Sequence, residues 1–257
     1  MLTKEKFKAS LTVFFVLLVE NLLFANTIVV GVSFSIPPYV IEEKDQGVEL
    51  EILREAFKIK GHTVKVKYLP LARTFMQLGS GKIDGVINIK KGMLKNVFYT
   101  DVVITFRNCA ISLKKRGFPD FTDLNSLKGM YVIAFQRASY ILGPEFGEMT
   151  KDNNQYEETA LQKTQLFRLF MERNADFIVM EKKIFQYYRK EAHKVIGKRA
   201  ELPVKFHYIF PPTEYRFAFH NKRIRDDFNS GLQTIRDYGL YSKIMKKYEK
   251  LMDLNSE

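Results

Sequence analysis

Strand-type and helix-type hydrophobic patterns alternate along this chain in two successive series of the same order, which limits the fold more than any other feature. The first series opens with the apolar run Thr27-Ile28-Val29-Val30-Gly31-Val32, the pattern of a strand buried on both faces. Pro37 and Pro38 end it. Val48, Ile52 and Ala56 then recur every four residues, reinforced by Leu50, Leu53 and Phe57, and predict a helix that Gly61 stops. Residues 64–68 alternate as a strand, Pro70 opens a short helix through Leu78, and 85–89 form a further apolar strand. Strands alternating with helices argue for parallel pairing.

The second series begins after a strand predicted over 104–113 and a connecting turn over 118–125. Residues 130–134 read as a strand, 135–139 as a loop opening a helix, 160–174 as a helix and 176–180 as a strand. Helix, short link containing Asp, apolar strand: the order copies the first series, so two similar α/β lobes are expected. The chain then returns to the first lobe through a strand over 215–219. An amphipathic helix follows, marked by Ile224, Phe228, Leu232 and Ile235, and a short final helix follows Gly239.

The first 25 residues bear on compartment. Lys4, Lys6 and Lys8 form a basic start, residues 11–18 are an uncharged apolar run, and small Ala25 precedes Asn26. The pattern reads as a signal peptide cleaved after Ala25. A membrane anchor is the alternative, but the apolar run before Glu20 is shorter than the roughly 20 residues a bilayer span needs. With 46% hydrophobic residues the remainder can bury a core, and its length suits one large or two small domains. The net charge of +12 is spread along the chain, so a solvated basic surface or an anionic ligand explains it better than nucleic acid. Cys109 is the single cysteine, so no internal disulfide is possible, and its apolar flanks mark a buried strand thiol. The four histidines show no metal-ligand spacing, and no cofactor is expected.

Several segments resemble the family-3 periplasmic solute-binding proteins, the receptors of polar amino-acid ABC importers. They are Pro37-Pro38-Tyr39, Gly47-Val48-Glu49-Leu50-Glu51-Ile52, Gly81-Lys82-Ile83-Asp84-Gly85, Val97-Phe98-Tyr99-Thr100-Asp101, Leu124-Asn125-Ser126-Leu127-Lys128-Gly129 and Gly239-Leu240-Tyr241-Ser242-Lys243-Ile244. Each is weak alone; together, in the right order over most of the chain, they are specific. The resemblance implies an α/β two-lobed periplasmic-binding-protein clamp, with mixed, mostly parallel sheets joined by a two-strand hinge. Lobe one is expected over 26–113 and 216–257, and lobe two over 114–215. Such a clamp closes on its ligand at the carboxyl ends of the strands.

In relatives that bind amino acids, an Arg in lobe one grips the α-carboxylate. Aligned on Val97, the Thr-x-x-Arg segment that carries it falls on Lys90-Lys91-Gly92-Met93, so the Arg position holds Met93. Met cannot pair with a carboxylate. Lys90 or Lys91 is either the substitute point charge or a solvated lysine. Glu181 stands where the resemblance implies an acid that receives an ammonium group, and it also lies in an ordinary charged run. Ser139, preceded by Gln136 and Arg137, opens a helix whose N–H groups would suit an anionic oxygen, or it is a simple N-cap. Phe34 and Tyr39 follow the first strand and either stack on the ligand or pack in the core. Leu71 falls where a side chain would cover the ligand, Asn88 near the end of its strand, and Arg73 and Arg107 are further cleft candidates.

The expected function is reversible binding of a small polar solute in the periplasm by a monomer, for delivery to an ABC permease. A sensory role toward an inner-membrane partner is the alternative. So is an enzyme on the same scaffold, dehydratase-like, for which Glu181 would be the one acid–base candidate. No catalytic group is otherwise expected. A third class is a basic exported protein that binds membrane or polyanion surfaces, with salt-sensitive association.

Overall fold

The computed structural model describes residues 26–33, 35–171 and 175–252; the leader read over 1–25 and the candidate Phe34 lie outside them. Two sheets organise the described residues. In the first, β1 (Thr27–Val32) lies between β2 (Thr63–Tyr68) and β3 (Gly85–Ile89), both parallel to it. The late strand β11 (Thr213–Phe219) runs antiparallel beside β3, and short β4 (Phe98–Tyr99) and β5 (Ile104–Phe106) pair with β11. The second sheet holds β6 (Asn108–Leu113), β7 (Val132–Phe135), β8 (Tyr156–Thr159), β9 (Phe177–Glu181) and β10 (Val204–His207), in the order β10-β6-β9-β7-β8. There β7 is parallel to β8 and β9, while β6 is antiparallel to β9 and β10. The class is α/β with two mixed sheets.

The first sheet is covered by α1 (Val48–Ile59), α2 (Leu71–Gly79), α7 (Lys222–Asp237) and α8 (Leu240–Lys250). α1 buries Leu50, Leu53, Ala56 and Phe57, the residues whose spacing marks it in the sequence. Its start depends on Gly47, at φ 140°, where a Cβ would lie 2.2 Å from the Tyr39 carbonyl oxygen. Phe57 meets Phe219 edge-on at 5.5 Å and Phe228 at 5.4 Å, tying helix, sheet and α7 together. α7 approaches α1 so closely that a Cβ on Gly231 would sit 1.9 Å from the Ala56 carbonyl oxygen.

The second sheet carries α3 (Ala138–Ile141), α4 (Pro144–Lys151), α5 (Gln162–Phe170) and α6 (Lys182–Ile196). Of these, α4 and α6 have no counterpart in the sequence reading, nor do β4, β8 and β10. Phe118, Phe121 and Phe177 cluster on one face of this sheet, and Phe146 meets Phe210 edge-on at 5.1 Å.

The strand expected over 104–113 is two strands in different sheets. Residues 104–107 alternate between buried and exposed, while all of 108–113 is buried. The break at Arg107 is one crossover between sheets, and 208–212, between β10 and β11, is the other. Strand 108–113, placed with lobe one by sequence, therefore hydrogen-bonds in the second sheet, and 213–215, placed with lobe two, in the first. An apolar run shows that a strand is buried but carries no mark of which sheet buries it.

Candidate functional site

The carboxyl ends of β1, β3 and β7 converge on one cavity between the sheets, the position where open α/β sheets bind ligands. Ser35 and Ile36 follow β1, Asn88 and Lys90 close β3, Gln136 and Arg137 follow β7, and Asn108 opens β6. Leu71, at the start of α2, also lines it. Its volume is about 100 Å³. Ligand cavities usually run from about 300 Å³ upward, so this one is small, and the two lobes meet across it through a hydrogen bond from Lys90 to Ile141.

Lys90 spans the cleft. Its Nζ donates to the carbonyl oxygen of Ile141 at 2.7 Å, from the end of β3 to the end of α3 in the other lobe. Asn88 adopts φ 56°, a left-handed conformation that Asn tolerates. Its Nδ2 donates to both carboxylate oxygens of Glu49, at 2.9 and 3.0 Å. Glu49 is fully buried, and burial pushes its carboxyl up to about 7 against the opposing effect of the Asn88 hydrogen bonds. The sequence reading singled out Asn88 but not the buried acid that it holds.

Arg137 and Ser139 do not present a free helix N-terminus. The Glu158 carboxylate takes the N–H of Arg137 at 2.5 Å, the N–H of Ser139 at 2.9 Å and the Ser139 hydroxyl at 2.7 Å. Burial alone would raise the Glu158 carboxyl, but these bonds and one from the Tyr156 hydroxyl outweigh it and hold the carboxyl below its usual range. The anionic oxygen expected at this helix start is therefore supplied by the protein. Arg137 still lines the cleft, whereas Ser139 does not.

Tyr39, Arg107 and Glu181 line a separate groove of about 840 Å³, formed by residues of the first crossover, the start of α6 and the end of α8. Glu181 is 5% exposed and caps α6, its Oε2 accepting from the N–H groups of Lys183 and Ile184 at 2.6 and 3.1 Å. The Tyr39 hydroxyl donates to the same carboxylate, and desolvation still raises the Glu181 carboxyl despite these bonds. Tyr39 itself is buried, with its ring 4.4 Å from that of Phe106, so it packs in the core. Lys183 reaches Glu249 at 2.9 Å, joining α6 to α8. Arg73 is exposed on α2 and lines neither cavity. The sequence candidates thus divide: Leu71, Asn88, Lys90 and Arg137 meet at the cleft, and Tyr39, Arg107 and Glu181 at the groove.

Two cleft amides escaped the sequence reading. Asn108 is 3% exposed and its Nδ2 has no acceptor; Gln162, at the start of α5, has a buried Oε1 with no donor. Asn108 carried a signal, being a lone amide inside the apolar stretch of 104–113. Gln162 carried none.

Paired mixed sheets, crossovers at Arg107 and 208–212 and a cleft at the strand ends are the geometry of a binding clamp, and the sequence pattern of the bacterial extracellular solute-binding proteins, family 3, matches residues 28–250. The chain belongs to that family. Among solved structures, the GluR0 ligand-binding core in complex with L-glutamate matches with a TM-score of 0.70 at 13% identity, covering 88% of this chain and 99% of that one. An ancestral arginine-binding protein bound to arginine gives 0.67 at 22% identity, covering 88% and 99%. A histidine kinase sensor domain with similarity to periplasmic binding proteins gives 0.66 at 20%, covering 86% and 95%. At such identities the likeness concerns the fold. A search of curated protein sequences found no match. Met93, which alignment on Val97 puts at the position expected of an Arg, packs against the cluster of Leu78, Ile83, Val86, Ile89 and Ala218, and its Sδ accepts from the Lys90 N–H at 3.3 Å.

Proposed function

We propose that this protein is an exported receptor that captures a small polar solute in the interlobe cleft and presents it, by clamp closure, to a membrane partner, an ABC permease in the first instance. The observation that carries the reading is Lys90. It sits at the carboxyl end of a lobe-one strand and reaches a lobe-two carbonyl at 2.7 Å, so closure and occupation of the cleft act on the same side chain. Amino-acid-bound neighbours of the same fold support a polar ligand. The family's extracellular character supports the periplasm as its place of work, with the leader removed near Ala25.

Binding without turnover is part of the proposal. Glu181, the acid–base candidate, commits one oxygen to the α6 cap and is held by Tyr39, and it lines the outer groove rather than the cleft. The similarity to a histidine kinase sensor domain favours one second reading, in which the same closure signals to a kinase-type partner.

A thermal-shift screen of polar metabolites against the protein from Asn26 onward tests the reading. Free ligand at 100 times its Kd adds roughly 2.7 kcal/mol of stability, so a true ligand raises Tm and lowers the small-angle-scattering radius of any open population. A protein that no polar metabolite stabilises would sink the proposal. Mass spectrometry of the exported protein should find Asn26 at its N-terminus.

A further inference from the structure

The chemistry lining the cleft is lopsided. The charged residues that line it are Lys90 and Arg137, and among the described lining residues there is no acid. Glu49 lies behind Asn88, bridged by the Asn88 amide, and Glu181 lines the other groove. An ammonium group entering this cleft would therefore leave water for two cations and no anion. A carboxylate would find Lys90, whose ammonium has three donors and uses one on Ile141.

Two neutral atoms add a finer demand. The Nδ2 of Asn108 is buried at the cleft without an acceptor, and the Oε1 of Gln162 is buried there without a donor. A buried donor and a buried acceptor left unmatched are costly, and a ligand that displaces water from them must restore both bonds. It needs an acceptor oxygen for Asn108 and an O–H or N–H for Gln162. The cavity volume of about 100 Å³, below the roughly 300 Å³ at which ligand sites usually begin, favours a short carbon chain.

We propose that the cleft selects short carboxylates that carry a hydroxyl or amide but no ammonium group. Lys90 takes the carboxylate, Asn108 donates to an acceptor oxygen, and Gln162 accepts from the hydroxyl or amide. The inference rests on the cleft being the ligand site, and it replaces the zwitterion expected of an amino-acid receptor with a hydroxy-acid type of solute.

Matched sets of acids test it by isothermal titration calorimetry on the protein from Asn26 onward: glycolate, glycine and acetate; lactate, alanine and propionate; malate, aspartate and succinate. In at least one set the hydroxy acid should bind about tenfold or more tighter than both its amino and its deoxy counterpart, the factor that about 1.4 kcal/mol confers. Gln162→Leu should erase the preference over the deoxy acid while leaving deoxy-acid affinity within about threefold. Asn108→Leu should weaken every carboxylate that binds, with an unchanged circular dichroism spectrum showing that the fold is kept. An amino acid binding as tightly as its hydroxy counterpart overturns the inference and leaves the clamp reading standing. Silence from every acid in the sets overturns it too, and the clamp reading falls with it only when a wider metabolite library is equally silent.

Discussion

Glu49 makes folding stability depend on pH in a direction opposite to that of most surface carboxylates. The side chain is fully buried, its hydrogen bonds come from the Asn88 amide, and its carboxyl lies at about 7 against an ordinary 4.5. Between those values the folded chain holds a proton that the unfolded chain releases, so stability falls as pH rises through the window. Each pKa unit is worth about 1.4 kcal/mol, so the loss from this one group approaches about 3 kcal/mol by pH 8. Glu49→Gln mimics the protonated acid and removes the titration. Chemical denaturation of both proteins at pH 5 and pH 8 isolates the effect, because other titrating groups cancel in the difference. Relative to the parent, the Gln variant should gain about 2.5 kcal/mol on going from pH 5 to pH 8, because part of the loss already falls below pH 5. A difference that stays constant across this range would refute the reasoning, as would a parent that grows more stable relative to the variant.

Lys90→Met removes the hydrogen bond to Ile141 and should shift the ligand-free protein toward the open form, read as a larger radius of gyration in small-angle scattering. A charge-assisted bond contributes about 1.5–3 kcal/mol, enough to move the population by a factor of about ten or more. Glu158→Ala strips the start of α3 of the carboxylate that takes two of its N–H groups and should cost about 1–3 kcal/mol in denaturant unfolding. Because the Glu158 carboxyl is held low, that contribution is present above its ordinary value and is lost as pH falls through the depressed one. Gly231→Ala forces α7 away from the Ala56 carbonyl and should lower stability by about 1–3 kcal/mol, seen as a reduced Tm. Cys109 is buried, and burial drives its thiol far above the usual range, so thiol reagents should label it only after unfolding.

Local pattern carried much of the architecture. The four-residue spacing in 48–57 produced α1, the apolar runs at 27–32 and 85–89 produced β1 and β3, and the spacing from Ile224 to Ile235 produced α7. The reading fell short at α6, whose apolar face at Ile184, Tyr188, Ala192 and Ile196 lies within a dense run of charges, and at β4, which is two residues long. The site was less legible than the fold. Asn88 was singled out because it lies near the end of a strand, and Lys90 because the family segment aligned on Val97 falls on it. Glu181 was found by position, yet which cavity it faces depends on its cap of α6 and on Tyr39, a residue 142 positions away in the chain.

Amino-acid order alone settled what is local or counted: the α/β class, the doubling of the pattern and the family motifs. Contacts between distant segments settled the rest. Only the folded chain shows that 104–113 divides between two sheets, that Glu158 fills the helix start that Ser139 opens, and that Asn108 and Gln162 face one cleft with their polar atoms unmatched. The reason is physical: hydrophobic period and turn chemistry act over a few residues, whereas desolvation and hydrogen-bond pairing depend on which groups the folded chain brings within about 3 Å of one another.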